Sequence, residues 1–253
     1  DSGTDAITDL VTNDILVVSS GAIANAANIT AFVATSGTSN AGTANLSTDN
    51  SGRTIDMTDS ASGGYTITGG TGADTLSFEL SDGSNGSTLT LTSYGASNFE
   101  NLVGTPSNEI LQGDSSNNII NDHSYTNDNS GGTDSMYGYG GDDTLYGNGS
   151  FYGGSGNDTL TGFTSDDTFD GGTGSDTITT GTGTDTIVIR TGDGGSTIAD
   201  ADVIKDFTDG SDTIGLDDGL QFSQLNINQG TGSNSSHTIV SIGSSSEYLL
   251  LIE

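Results

Sequence analysis

The chain has 253 residues, 34 acidic and 3 basic side chains (Arg53, Arg190 and Lys205), and a formal net charge of -31. A surface of that sign repels phosphate backbones and anionic lipid, which excludes nucleic acid and membrane surfaces as partners and favours small cations. There is no cysteine, hence no disulfide and no thiolate metal site, and no apolar run approaches the roughly 20 residues of a membrane span.

Leu, Ile, Val and Phe make up about 21% of the chain, at the border where so high a charge usually means disorder. Regular spacing of the hydrophobes argues for a fold instead. The opening "DSGTD" has neither Met nor a cationic-then-apolar leader and reads as part of a longer chain. "DAITDLVTNDILVV" (5–18) shares the pattern D-x-I-x-D-[L/F] with "DVIKDFTDGSDTIGL" (202–216), and the acids of both segments are expected to cap strands and turns. Between 15 and 103, the short apolar runs "DILVVSS", "NITAFVAT", "RTIDMTD", "GYTITGG" and "STLTLTS" are bounded by Gly, Asn and Ser, which predicts an all-β segment. Ile55, Ile67 and Leu76 have the spacing of solenoid rungs leading into a repeat.

"GGTGADTLS" (69–77) is the first copy of a nonapeptide that is glycine-rich first, acidic sixth and apolar eighth. The period weakens over 104–122, where Asn108 and Asn117 take the acidic slot and Ile110 and Ile119 the apolar one. "GGTDSMY" (131–137) is a shortened copy, "GYGGDDTLY" (138–146) a full one, and "GNGSFY" (147–152) is short and lacks an acid. Four copies then run in register: "GGSGNDTLT", "GFTSDDTFD", "GGTGSDTIT" and "TGTGTDTIV" (153–188).

A nine-residue period is too short for a helical repeat and suits a short strand followed by a glycine-rich turn. One apolar residue per unit cannot bury itself. Successive strands must therefore coil and stack, with Leu145, Leu160, Phe169, Ile178 and Ile187 in one interior. Two nonapeptides per turn of the coil place Asp158 over Asp176 and Asp167 over Asp185. At a strand spacing of about 4.8 Å each pair repels by roughly 1 kcal/mol even at the dielectric of water. Such a column needs cations, and closely spaced carboxylate and carbonyl oxygens suit Ca²⁺ better than the stricter Mg²⁺.

These units resemble the calcium-binding nonapeptide of the RTX family, G-G-x-G-x-D-x-U-x. The resemblance implies an all-β fold, a right-handed parallel β-roll or β-helix solenoid with several Ca²⁺ ions in the turns. The implied ligands are Asp74, Asp143, Asp158, Asp167, Asp176 and Asp185, with turn carbonyls at Gly153, Gly156, Gly171 and Gly174. Asn108 and Asn117 would ligate more weakly through uncharged amide oxygens. Residues 202–216 resemble a segment that closes RTX blocks, and "SSSEYLLLIE" (244–253) is expected to be a final strand covering an open edge. The chain then divides into irregular rungs (1–68), an isolated copy with connecting strands (69–103), the calcium-binding roll (104–188) and a β cap (189–253).

Catalysis is not expected. The only histidines, His123 and His237, are far apart and read as exposed loop residues, and neither H-E-x-x-H nor G-x-S-x-G occurs. Thr159, Thr161, Thr177 and Thr179 form a T-x-T array similar to those of ice-binding solenoids, although threonine is common on any strand surface. Tyr137, Tyr139, Tyr146 and Tyr152 are expected mostly to cover solenoid edges. The expectation is a calcium-dependent structural module of a surface-layer, filament or adhesin protein, secreted by a type I route to the surface of a Gram-negative cell. Its partners would be calcium and either further copies or cell-surface polysaccharide, without nucleic acid or membrane insertion. The alternative is a non-catalytic secretion or folding module of a larger secreted enzyme or toxin, or a surface- or ice-binding solenoid.

Overall fold

The computed structural model describes residues 4–7, 10–11, 14–34, 37–49, 51, 53–56, 65–68, 75–77, 87–90, 101–104, 108–122 and 132–253. Apart from three three-residue 3-10 turns (198–200, 222–224 and 232–234), every regular element among them is a β-strand. The strands coil into a parallel β-solenoid of about six turns.

Two sheets face each other across the core. One runs β10 (Ser87–Thr90), β12 (Glu109–Gln112), β14 (Asp134–Gly140), β16 (Gly149–Ser155), β18 (Thr168–Thr173), β20 (Thr186–Ile189) and β22 (Thr213–Leu216). The other begins with β4 (Ala31–Val33), β7 (Thr54–Asp56), β9 (Thr75–Ser77), β11 (Asn101–Val103) and β13 (Ile119–Asn121). It continues through β15 (Thr144–Gly147), β17 (Thr159–Gly162), β19 (Thr177–Thr179) and β21 (Asp202–Ile204). From β9 to β22 chain order alternates between the sheets, so each strand pairs with the one two elements on. Near the N-terminus β1 (Thr4–Ile7), β3 (Ile23–Ile29), β6 (Thr43–Thr48) and β8 (Tyr65–Thr68) form a separate parallel sheet, and β2 (Val17–Val18) pairs with β5 (Ser39–Asn40).

The nonapeptide explains this coil directly. Leu160 pairs in register with Ile178, and Phe169 with both Phe151 and Ile187, while Leu145 pairs with Leu160. All six are fully buried, as the spacing of the apolar slots requires. The Phe151 and Phe169 rings stack at 4.7 Å, filling a core only one side chain thick per strand. Upstream, Ile55 pairs with Leu76, while Ile67 lies beside Leu46 in the N-terminal sheet.

One register differs from expectation. Leu102, Ile120 and Leu145 form a single inward column, and Leu111 aligns with Met136. Leu111 and Ile120 are therefore fully buried, whereas Ile119 is 44% exposed. "NNII" satisfies the repeat in either of two frames one residue apart, and in a strand a one-residue slip exchanges the two faces. Pairing with the unambiguous neighbours Leu102 and Leu145 selects the frame.

The C-terminal segment departs from expectation too. β25 (Glu247–Ile252) does cover the edge of β21 in parallel, but β24 (Thr238–Ile242) then pairs antiparallel with it and β23 (Leu225–Gln229) with β24. The open edge is thereby passed to a polar strand. The tyrosines do not cover edges: Tyr137 and Tyr152 stand side by side in register on the outer face of the first sheet. The threonine array is short, because Tyr146 precedes Thr161 and Val203 follows Thr177 in their columns. His237 is half-buried with a shielded Nδ1 rather than exposed, and His123 lies outside the described residues.

Phe169→Ala is expected to cost about 3 to 5 kcal/mol and Ile120→Ala about 2 to 5 kcal/mol, against little for Ile119→Ala. Denaturant unfolding in saturating calcium checks both the core and the register.

Candidate metal centre

Two residues before each inward apolar side chain lies a turn residue that faces the gap between rungs. On one side of the coil these residues are Asn118, Asp143, Asp158, Asp176 and Asp202, all nearly fully buried. Each backbone N–H donates to the carboxylate Oδ1 of the next rung: Asn118 to Asp143 at 2.7 Å, Asp143 to Asp158 at 2.7 Å, Asp158 to Asp176 at 2.7 Å and Asp176 to Asp202 at 3.0 Å. On the other side Gly149 donates to Asp167 at 2.6 Å, Asp167 to Asp185 at 2.8 Å and Asp185 to Asp212 at 3.1 Å. The predicted stacking of Asp158 on Asp176 and of Asp167 on Asp185 is present, each pair being 18 residues apart.

Only half of each carboxylate is satisfied by these bonds. The Oδ2 atoms of Asp143, Asp158, Asp167, Asp176 and Asp185 are buried and have no hydrogen-bond partner. Leaving an anionic oxygen dry and unpaired costs several kcal/mol unless something positive meets it. Four of these oxygens lie over a glycine: Asp143 over Gly138, Asp158 over Gly153, Asp167 over Gly162 and Asp176 over Gly171. A second oxygen converges on the same space from the next rung. Built Cβ atoms at Gly138, Gly153 and Gly162 would each fall 2.5 Å from a carbonyl, that of Gly153, Gly171 and Thr180 respectively. The glycines thus hold open cradles lined by one carboxylate and one carbonyl oxygen.

Those donors fit a hard cation with flexible coordination, which is the chemistry of Ca²⁺. Among the described residues no three His, Cys, Asp or Glu side chains converge on a point. The acids run along ladders, so further ligands must come from turn carbonyls. Gly156 and Gly174 serve the same geometry with φ of +131° and +139°, each turned so that a side chain would strike the carbonyl of the preceding rung's turn.

Electrostatics records the same strain. Burial pushes the carboxyls of Asp143 and Asp167 up to about 7 and that of Asp158 up to about 6, against the lowering effect of the N–H donors. Burial likewise raises Asp176, Asp202 and Asp185, and the stacked like charge adds to it, Asp158 on Asp176 and Asp176 on Asp202, while the side-chain contact with Asp202 lowers Asp176.

Of the sequence-derived ligands, the structure brings Asp143, Asp158 and Asp176 into one ladder and Asp167 and Asp185 into the other, with Gly153 and Gly171 in the cradles. Asp74 lies outside the described residues. Asn117 is exposed and its Oδ1 accepts a hydrogen bond from Asp142 N–H, outside the ladder; Asn118 holds the inner position. Asn108 is likewise exposed, its Oδ1 accepting from Thr133 N–H at 3.1 Å. The one-residue register slip accounts for both. Asp202 and Asp212, expected to cap turns, instead extend the ladders. Their signal is the "DVI" and "DTI" in which they stand, the same D-x-U spacing as the repeat. Asp206 does cap, accepting from Thr180 N–H at 2.7 Å and Gly181 N–H at 2.9 Å.

The family described as the RTX calcium-binding nonapeptide repeat matches this chain in four copies, at residues 66–79, 128–160, 152–187 and 161–196. No curated protein matches it.

Because burial holds the native pKa of these aspartates above the unfolded value, the native state binds more protons than the unfolded state between about pH 4 and about pH 7. Without calcium, stability is therefore expected to fall as pH rises through that window, and more gently beyond it until Asp202, which burial pushes up to about 9, has also lost its proton. Calcium binding near pH 6.5 should release protons. Melting scans in chelator across pH, with calorimetry in buffers of differing ionisation enthalpy, check the two statements.

Proposed function

We propose that this chain, a calcium-binding RTX repeat protein, is an extracellular structural module that completes its fold on meeting calcium after export and supports self-assembly or surface attachment. The observation that carries the reading is the set of five buried aspartates, each with one unpaired oxygen and four of them with that oxygen over a glycine. A core of one apolar side chain per strand has little to set against chain entropy. Stacked carboxylates make the balance worse until a divalent cation joins the rungs. Extracellular calcium modules bind at about 10⁻⁴ to 10⁻³ M, so calcium well above that level adds roughly 2 kcal/mol or more per site.

Export fits the same physics: the chain stays unfolded where calcium is scarce and folds where it is plentiful. RTX repeats typically belong to secreted proteins, and no helix among the described residues is long and apolar enough to cross a membrane. The buried acids are committed to ladders, and no zincin or serine-elbow motif occurs in the sequence, which supports a non-catalytic role in a surface layer, filament or adhesin. Labour is divided along the chain: 104–188 takes the ions, with 1–68 and 69–103 as preceding rungs and 189–253 as the cap.

Circular dichroism of the whole chain, titrated with calcium after chelation, is the test. A β-sheet spectrum should grow in with calcium, and Asp176→Asn should shift the midpoint several-fold upward. A full spectrum in chelator, unchanged by calcium or by Asp176→Asn, would overturn the proposal. Negative-stain imaging in calcium separates lattice or fibre formation from attachment by single molecules.

A further inference from the structure

A feature apart from the ladders lies on the outer face of the first sheet. Tyr137 and Tyr152 stack face to face at 4.5 Å with 7° between their planes, and Tyr139 adjoins Tyr137 at 6.0 Å. Along the same face the next strand carries Asp170 in register with Tyr152. Tyr152 therefore has one ring face on Tyr137 and, among the described residues, no ring on the other. Beside that second face opens a pocket of about 260 Å³ lined by Tyr152, Asp170, Thr173, Arg190 and Thr191 over a floor of glycines. Gly154 and Gly172 have φ of +113° and +91°, and a side chain on either would strike the backbone of the neighbouring rung. The floor is bare because the stacked turns require it.

Opposite the ring stands a fixed polar fork. Arg190 Nη1 donates to Asp170 Oδ1 at 2.9 Å and Nη2 donates to Asp170 Oδ2, with Asp217 within 3.4 Å of Nη2 and Asp193 within 3.6 Å of Nη1. Asp218 approaches Nε at 3.9 Å. Four carboxylates around one guanidinium leave the rim negative, which disfavours phosphate, sulfate or an acidic sugar. A cation would meet Arg190 and would find both oxygens of Asp170 already engaged. A neutral, polyhydroxylated ring is not repelled by Arg190, and each engaged Asp170 oxygen keeps a second lone pair that can accept from a hydroxyl. Its C–H face suits the electron-rich face of tyrosine, and its hydroxyls can both donate to carboxylate and accept from guanidinium and threonine.

We propose that this pocket binds one neutral pyranose unit of a glycan, stacked on Tyr152 and hydrogen-bonded by the Arg190–Asp170 pair. The inference rests on the calcium-folded module proposed above and specifies how it would attach to a surface. A mostly apolar, concave site with a few convergent polar groups and a rigid aromatic wall is the ordinary form of a small-ligand site.

Saturation-transfer NMR on the whole chain in calcium, with the methyl pyranosides of glucose, galactose, mannose and N-acetylglucosamine as probes, tests it. At least one probe should give a saturable signal. Tyr152→Ala should weaken it about tenfold, Tyr152→Phe should retain it, and Thr161→Ala on the opposite sheet should leave it unchanged. Circular dichroism of each sample verifies the fold. No saturable signal from any probe in folded protein would overturn the proposal, as would a signal indifferent to Tyr152→Ala or an equal one from glucose 6-phosphate. Any of these would leave the calcium reading intact, since the spectrum of the same sample reports it separately.

Discussion

The structure turns on like charges placed one above another at the spacing of β-strands. In most folds a buried carboxylate is matched by a basic side chain or several N–H donors. Here each receives one strong N–H from the rung before it and leaves its other oxygen dry. The ladder bond fixes the position of the carboxylate without neutralising it. Geometry is supplied by the chain, and charge balance must come from solution.

That division shapes everything around it. A bulkier residue at Gly138, Gly153 or Gly162 would fill the space where carboxylate and carbonyl oxygens meet, and one at Gly171 would strike the Asp176 carboxylate, so the cradles tie turn composition to ion binding. Short turns in turn limit most strands of the roll to one inward apolar side chain, and the solenoid gains its core by stacking Leu145, Leu160 and Ile178 against Phe151, Phe169 and Ile187. The core is continuous along the coil but thin across it. Hydrophobic burial and ion binding are therefore coupled: the rungs that bury the apolar column are the ones whose acids must be bridged.

Period and spacing suffice where the pattern is unique. The shared interior, the 18-residue rung and the two acidic columns are legible in the four consecutive nonapeptides, because a strict period leaves only one way to stack them. Where the pattern is degenerate, tertiary pairing decides. "NNII" reads equally well in two frames, and only the flanking Leu102 and Leu145 place Ile120 inside and Asn118 in the ladder. Shortened copies are harder to read: in "GNGSFY", which lacks an acid, Phe151 keeps the apolar slot while Gly149 occupies the acidic position, and the Gly149 N–H still donates to Asp167. The ladder depends on backbone as well as on aspartate. Its extension to Asp202 and Asp212 is hidden in the sequence because the intervening segments are long, with 26 and 27 residues between bonded partners instead of 18. A loop can grow without disturbing the rung it joins, so loop length conceals register that the D-x-U triplet preserves.

The ends of the ladders show how a column of repelling charges stops. Asp212 uses both oxygens, Oδ1 for Asp185 N–H and Oδ2 for Thr208 N–H, so no orphan oxygen is handed on to a further rung. Two of the three basic residues of the chain stand in this same region. Arg190 is bound to Asp170 and flanked by Asp193 and Asp217, and Lys205 pairs with Glu253 at 2.8 Å. Within the repeats, from 104 to 188, there is no lysine or arginine at all. A tethered cation among the rungs would compete for the cradles and let the roll fold without calcium. At the cap it does neither, because the stacking has ended and the local carboxylates need a permanent partner. The placement of Arg190 and Lys205 thus separates the part of the fold that waits for an ion from the part that is held by its own side chains.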